Sequence, residues 1–394
     1  MMIQAVLGNP HHPEYGVATI PFPIPRDQYA HCMELLAALE IGDAVKADCK
    51  VEKIDSFYTV LKRTEMLTVN AEELNYLAKR LDSFDTGEAA QFQAMAHKLE
   101  LFELKDLINL TFCCQQATVI TDFSDLAAIG RDHYMNLHGG SASVDELNKL
   151  DGKETARQLI ESGSGTITPY GVVYDNGMKL EQVYDGRFFP CYYFKPNVIT
   201  VAVTSKAEPE DTEHITWLFF PMVQEEIDRA LLRGGITDPA DVRLRLEDSQ
   251  LPNEVDVLLD MEYENLSDLN ELAAATDGLS KADMEKLGAV VTLAEPKSAA
   301  QIKNLAKNLD LFDFAPDAHS PADYGKYMIR QSGRFEYDEN LDAFYDYEKY
   351  GAERMNEEDG MFTDRGYIAY KGYYSMEEVM NGSQSSHMEM GGMM

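Results

Sequence analysis

The apolar positions of this chain change their period several times along its length. In residues 17–24 they form a short run broken by prolines. Over 27–39 they recur at helical spacing and stop at Gly42. Val45, Ala47, Cys49 and Val51 then alternate with charged residues, which predicts a half-buried strand. From Asn70 the period is helical. Asn70 with Glu73 forms an N-cap pair, and Leu74, Leu77, Ala78 and Leu81 share one face. Helices are predicted over 88–102, 104–112 and 125–137, and another is capped by Ser143 with Glu146. Residues 165–174 read as a turn followed by a strand. Strand patterns return at 198–203, 215–220 and Val242, Leu244, Leu246. Between them, residues 225–233 open with acids, end at Arg233 and stop at Gly234, the polarity a helix dipole favours. Helix starts follow at Ser280 with Asp283, Ser298 with Gln301 and Ser320 with Asp323, the last with Pro321 at the first helical position.

The order α/β, helical, acidic thus occurs twice, and the residues repeat with it. A shift of 195 places Leu74 on Leu269, Asn75 on Asn270, Leu77 on Leu272 and Asp82 on Asp277. The same shift places Asn109 on Asn304, Gly130 on Gly325, Asp151 on Asp346, Thr168 on Thr363 and Gly171 on Gly366. Phe22 and Pro23 meet Phe220 and Pro221 at a slightly larger shift. A period this long indicates duplicated domains rather than a solenoid. The expected layout is a first copy over 1–190, a second over 191–374 and a flexible Met-, Gly- and Ser-rich tail over 375–394. The expected fold class is α+β.

Charge changes the picture. The chain of 394 residues has 34 basic and 68 acidic residues, a net charge of −34. Residues 1–190 hold 16 basic and 28 acidic side chains, net −12; the remainder hold 18 and 40, net −22. Such a field repels nucleic acid and anionic membrane and attracts basic surfaces. Solubility or a salt-adapted proteome is the bland explanation. With 45% hydrophobic residues, the chain has enough apolar material for packed cores in more than one domain. No stretch approaches the roughly 18 apolar residues of a membrane span, and no signal peptide is read. Cys32, Cys49, Cys113, Cys114 and Cys191 lack CxxC spacing and read as reduced thiols of a cytoplasmic protein. His133 and His138 are five apart, off one helical face, so no metal site is expected. Residues 356–360 lack the alternating oxygens of a calcium loop, and Gly139–Gly140 has no lysine at Walker spacing. No cofactor and no catalytic constellation is expected.

The densest charge lies between Asp338 and Gly366, where carboxylates alternate with aromatic residues. A core can bury the aromatic rings but not ionised carboxylates without partners. This stretch is therefore expected to present a row of negative charge to water above a tyrosine-rich underside. The candidate surface comprises Asp313, Asp317, Asp323, Glu336, Asp338, Glu339, Asp342, Asp346, Glu348, Glu353, Glu357, Glu358, Asp359 and Asp364.

The residues here resemble a family. Tyr324, Gly325, Lys326, Tyr327, Met328, Ile329, then Leu341, then Tyr345, Asp346, Tyr347, Glu348, Lys349, Tyr350, Gly351 is similar to a run of the ArdA antirestriction proteins of conjugative plasmids and transposons. Ser267, Asp268, Leu269, Asn270 resembles the start of that family's helical middle region. The second copy is similar over most of its length. The first shares Glu73, Leu74, Asn75 but lacks the tyrosine–glycine motif around Asp151. The resemblance implies two ArdA-like copies, elongated overall, each with a small α/β front domain, a helical middle and an acidic α/β back domain. It also implies a non-enzymatic mimic of double-stranded DNA that occupies the DNA-binding cleft of a type I restriction-modification methyltransferase core. The chain would be a monomeric pseudo-dimer or a homodimer that binds neither nucleic acid nor membrane. At one charge per about 1.7 Å of duplex, ~34 net charges match roughly 58 Å, or about 17 base pairs. The alternatives are mimicry aimed at a CRISPR effector or nucleoid protein, an acidic protein–protein scaffold of a mobile element, and a hydrolase with a dispersed site.

Overall fold

The computed structural model describes residues 3–194, 196–208, 211–334 and 336–382. Helix and sheet are mixed throughout, so the fold is α+β. The chain divides into two compact units. One is Met1–Lys195 with Val223–Thr237; the other is Pro196–Met222 with Asp238–Met394.

The first unit opens on the antiparallel sheet β2-β1-β3-β4, formed by β1 (Ile3–Gly8), β2 (Val17–Phe22), β3 (Cys49–Asp55) and β4 (Thr68–Val69). β1 lies between two neighbours, with Ala5 opposite both Ile20 and Ile54. Ile3, Ala5 and Leu7 face the core, an alternation ahead of the first prolines that the sequence pattern did not bring out. The strand predicted from Val45 starts only at Cys49. Asp43 accepts the amides of Val45 and Lys46, and Asp48 accepts those of Gly42 and Asp43. These local turns take the donors that a strand would need. Helix α1 (Tyr29–Ala38) buries Tyr29, Cys32, Met33 and Leu36. Helices α2 (Ala71–Asp82), α3 (Thr86–Lys98) and α4 (Leu104–Leu110) continue the same core through Leu74, Leu77, Leu81, Phe92 and Ile108. Asn70 caps α2 by accepting the Glu73 amide, as its spacing predicts.

A second sheet, β5-β7-β6, follows, from β5 (Thr118–Ile120), β6 (Thr166–Thr168) and β7 (Gly171–Tyr174). Residues 165–174 thus form a hairpin rather than a turn and one strand. Between β5 and β6 lie α5 (Leu126–Leu137), α6 (Val144–Lys149) and α7 (Gly152–Glu161). Helices α5 and α7 touch through backbone: a Cβ on Gly130 would lie 1.8 Å from the Gly152 carbonyl oxygen. Helix α8 (Gln224–Arg233) completes this unit. Its Arg229 pairs with Glu72 at 2.5 Å, and its buried Arg233 donates to the Ala44 and Arg187 carbonyls and to Asn70 Oδ1.

The second unit opens on the sheet β10-β8-β9, formed by β8 (Ile199–Ser205), β9 (Thr216–Phe220) and β10 (Val242–Ser249). Helices α9 (Asn253–Leu258), α10 (Leu266–Thr276), α11 (Lys281–Ala294) and α12 (Ala299–Ala306) make its middle. Its back sheet, β11-β13-β12, comprises β11 (Phe312–Pro316), β12 (Asp359–Thr363) and β13 (Gly366–Tyr370), with α13 (Pro321–Arg330) and α14 (Tyr347–Glu357) inserted between β11 and β12. Helix α15 (Met376–Met380) follows, where the flexible tail was expected; Asn304 Nδ2 donates to its Met380 carbonyl at 2.7 Å. Residues 383–394 of that expected tail lie outside the described residues.

The two units use the same side chains for the same tasks. Asn75 of α2 accepts the Ile24 amide at 2.9 Å, just after Phe22–Pro23. Asn270 of α10 accepts the Met222 amide at 2.8 Å, just after Phe220–Pro221, and donates to the Met222 carbonyl. Thr168 accepts the Tyr170 amide and donates to the Gly171 carbonyl. Thr363 accepts the Arg365 amide and donates to the Gly366 carbonyl.

Candidate acidic surface

All fourteen candidate carboxylates belong to the back module of the second unit, residues 313–364. That span holds 14 acidic and 5 basic side chains, net −9. The corresponding span of the first unit, 118–169, holds 8 and 4, net −4.

The platform beneath the charge is aromatic. Tyr324 and Tyr367 are buried and tilted against each other at 4.2 Å between ring centroids. Ala315, Ala318, Met328 and Ala369 pack with them, and Tyr327, Tyr350, Met355 and Phe362 close the edges. Helices α13 and α14 meet at two glycines. A Cβ on Gly325 would lie 2.0 Å from the Tyr347 carbonyl oxygen, and one on Gly351 would lie 1.8 Å from that of Pro321. No side chain fits in either place, so glycine sets the helix separation.

Several carboxylates are placed by helix starts. Ser320 caps α13 by accepting the Asp323 amide, and its hydroxyl donates to the Asp323 carboxylate at 2.6 Å. Asp338 accepts the Asn340 amide at the head of the 3-10 turn Glu339–Phe344, and Asp346 accepts the Lys349 amide at the head of α14. Anionic groups at these positions also meet the positive end of the helix dipole.

Eleven of the fourteen are exposed: Asp317, Asp323, Glu336, Asp338, Glu339, Asp346, Glu348, Glu353, Glu357, Asp359 and Asp364. The other three, Asp313, Asp342 and Glu358, are half-buried and engaged. Asp313 pairs with Arg334 at 2.6 Å and with Lys371 at 2.8 Å. Burial opposes its ionisation, but the hydrogen bonds from Lys371 and Arg334 outweigh it and hold the carboxyl below its usual range. Asp342 receives the hydroxyls of Tyr347 and Tyr337 and the guanidinium of Arg330. The Tyr347 bond leads in pulling its pKa down to about 2, followed by those from Arg330 and Tyr337. Glu358 accepts from the Tyr324 hydroxyl at 2.6 Å and pairs with Arg354. Burial, then the bond to Glu358, pushes the Tyr324 hydroxyl well above its ordinary value. These three fix the platform rather than add free charge to its face.

The arginines explain why the net charge is expressed. Arg330, Arg334 and Arg354 are spent on Asp342, Asp313 and the Glu357–Glu358 pair. Arg365, between β12 and β13, reaches Glu254 of α9 at 2.7 and 2.8 Å and also Glu285 of α11. Its hydrogen bonds hold the Glu254 carboxyl low. Lys326 and Lys349 remain exposed. Lys349, Arg354 and Arg365 stand out in the sequence, whereas the internal roles of Arg330, Arg334, Glu254 and Glu285 do not. Their partners lie as far as 111 residues away, and no spacing rule signals such a pair.

A cavity of about 340 Å³ in this unit is lined by Glu254, Thr292, His319, Phe362, Thr363 and Asp364. One of about 460 Å³ in the first unit is lined by residues including Arg80, Glu88, Asn136 and Tyr192. Burial raises the carboxyl pKa values of Asp132, Asp256 and Glu264, and none of these groups lines either cavity. Among the described residues no three His, Cys, Asp or Glu side chains are grouped to hold a metal ion. Among them, too, no helix is long and apolar enough to cross a membrane.

No curated protein matches the chain. Residues 212–369 match the family model described as antirestriction protein (ArdA). That segment contains the whole acidic surface, and over it the chain is similar to the ArdA antirestriction family.

Proposed function

We propose that the protein acts without catalysis, as an acidic mimic of double-stranded DNA in the DNA-binding cleft of a type I restriction-modification methyltransferase core in the cytoplasm. One observation carries the reading. Eleven carboxylates are exposed on a module whose arginines are tied up in internal pairs. A cleft that grips phosphates through lysine and arginine accepts carboxylates in their place, and the contact weakens as salt rises. We further infer that the two units arose by tandem duplication of one ArdA-like domain. The shared Asn75/Asn270 and Thr168/Thr363 hydrogen bonds, the matching sheet orders and the glycine contacts at Gly130 and Gly325 support this. The copies differ in charge, −4 against −9 over corresponding spans, so the second is the principal mimic.

The test is displacement of labelled duplex DNA from a purified methyltransferase core at two salt concentrations, with a nucleoid protein and a CRISPR effector as comparison targets. Displacement from the core that fades at high salt supports the reading. Displacement only from another target moves the mimicry to that target, and displacement from none of them rejects it.

A further inference from the structure

Resting on the mimic reading, we propose that the turn Glu339–Phe344 is a docking element whose apolar tip, Phe344 with Leu341, inserts into a basic-rimmed apolar depression on the partner protein. Two observations meet here. Phe344 is 83% exposed and Leu341 48% exposed, although both lie in the most acidic stretch of the chain. The turn that carries them is also firmly held. Asp342, between the two, receives Tyr337, Tyr347 and Arg330, and the rings of Tyr337, Tyr345 and Tyr347 pack in succession at 5.8 to 6.0 Å between centroids.

An exposed apolar side chain on a loose loop needs no explanation, but an exposed phenylalanine on a turn fixed by four polar groups is presented in one orientation. DNA offers a protein no such group at its phosphate edge, so the tip adds something that charge mimicry does not. Exposed Glu336, Asp338, Glu339 and Asp346 flank it along the chain. Those flanking charges select a partner with a lysine- or arginine-rich rim, and they repel a second copy of the same turn. Asp342 is then a positioning residue: its carboxylate holds the turn and does not itself face the partner.

The experiment compares the full-length chain with the Leu341→Ala/Phe344→Ala double variant and with Asp342→Asn. Each is measured for binding to a type I methyltransferase core and to polylysine, at low and high salt. Loss of a buried aromatic anchor at an interface weakens binding by about thirtyfold. The double variant is expected to lose about that factor on the core at both salts and to bind polylysine unchanged. Asp342→Asn is expected to speed amide hydrogen exchange over 338–346 and to lose part of the same affinity, whereas the double variant keeps wild-type exchange there. If the double variant binds the core as tightly as wild type, or if its loss appears equally on polylysine, the docking turn is wrong while the mimic stands. If wild type holds polylysine but not the core, the core is not the target, and the docking turn proposed for it falls with that assignment.

Discussion

Neutralising exposed carboxylates should change the salt dependence of target binding, and neutralising paired ones should not. Asp317, Glu339, Glu348 and Glu353 are all exposed, and none has an ion-pair partner among the described residues. At DNA-like charge density, each phosphate-like contact contributes about 0.9 to the slope of log affinity against log salt. Converting all four to amides should reduce the magnitude of that slope by up to about 3.6. A fourfold rise in salt spans about 0.6 logarithmic units. Wild type should therefore lose up to about 150-fold more affinity than the quadruple variant over that rise. Asp313, Asp342 and Glu358, changed one at a time to their amides, are the contrast. Each is satisfied by an arginine within the module, so each change should lower stability and leave the slope nearly unaltered. The assay is DNA displacement from the methyltransferase core at four or more salt concentrations, with circular dichroism as a check on folding. A quadruple variant with the wild-type slope would refute the reasoning, as would paired residues that shift the slope as much as exposed ones.

The other predictions concern the platform. Arg365→Met leaves Glu254 and Glu285 without their guanidinium and should cost about 1–3 kcal/mol in urea unfolding. Glu254 has its pKa lowered from 4.5, so its share of that difference should be full above about pH 4.5 and shrink as the pH falls further. An unchanged midpoint in Arg365→Met would show that the three-carbon stem, not the charge, holds the hairpin. Gly351→Ala places a methyl group 1.8 Å from the Pro321 carbonyl oxygen and should destabilise by about 1–3 kcal/mol or more, read as a lower melting temperature with loss of target binding. Asn270→Ala strips the Met222 amide and carbonyl of their partner and should cost about 1–3 kcal/mol with an unchanged denaturant slope. Asn75→Ala should do the same to the Ile24 amide.

What was legible in the sequence was mostly local. The caps at Asn70, Ser143, Ser280, Ser298 and Ser320 each accept the amide three residues on, as their spacing predicts. The signal there is short-range and chemically specific. Residues 45–48 misled because alternation mimics a strand, while the competing side-chain acceptors, Asp43 and Asp48, look like ordinary surface acids. The acidic stretch was visible as composition, and its tyrosine underside was visible as residues that must be buried. Which carboxylates stay free was not visible. That depends on where Arg330, Arg334 and Arg365 find partners, and those contacts bridge 12, 21 and up to 111 positions. The separation of α13 and α14 is a backbone contact at Gly325 and Gly351, which a pattern of apolar positions cannot encode.

Helix α8 bears on how the protein is made. The first unit is not finished at residue 195, because Arg229 and Arg233 supply the partners of Glu72, Asn70 and the Ala44 carbonyl. At about 5–20 residues per second, a ribosome needs a further two to eight seconds or so to deliver residue 237. The β8–β9 hairpin of the second unit leaves the ribosome during that interval. The N-terminal half thus waits, partly open, for a helix encoded beyond the start of its neighbour, and a gene cut between codons 195 and 196 leaves the first unit without its last helix.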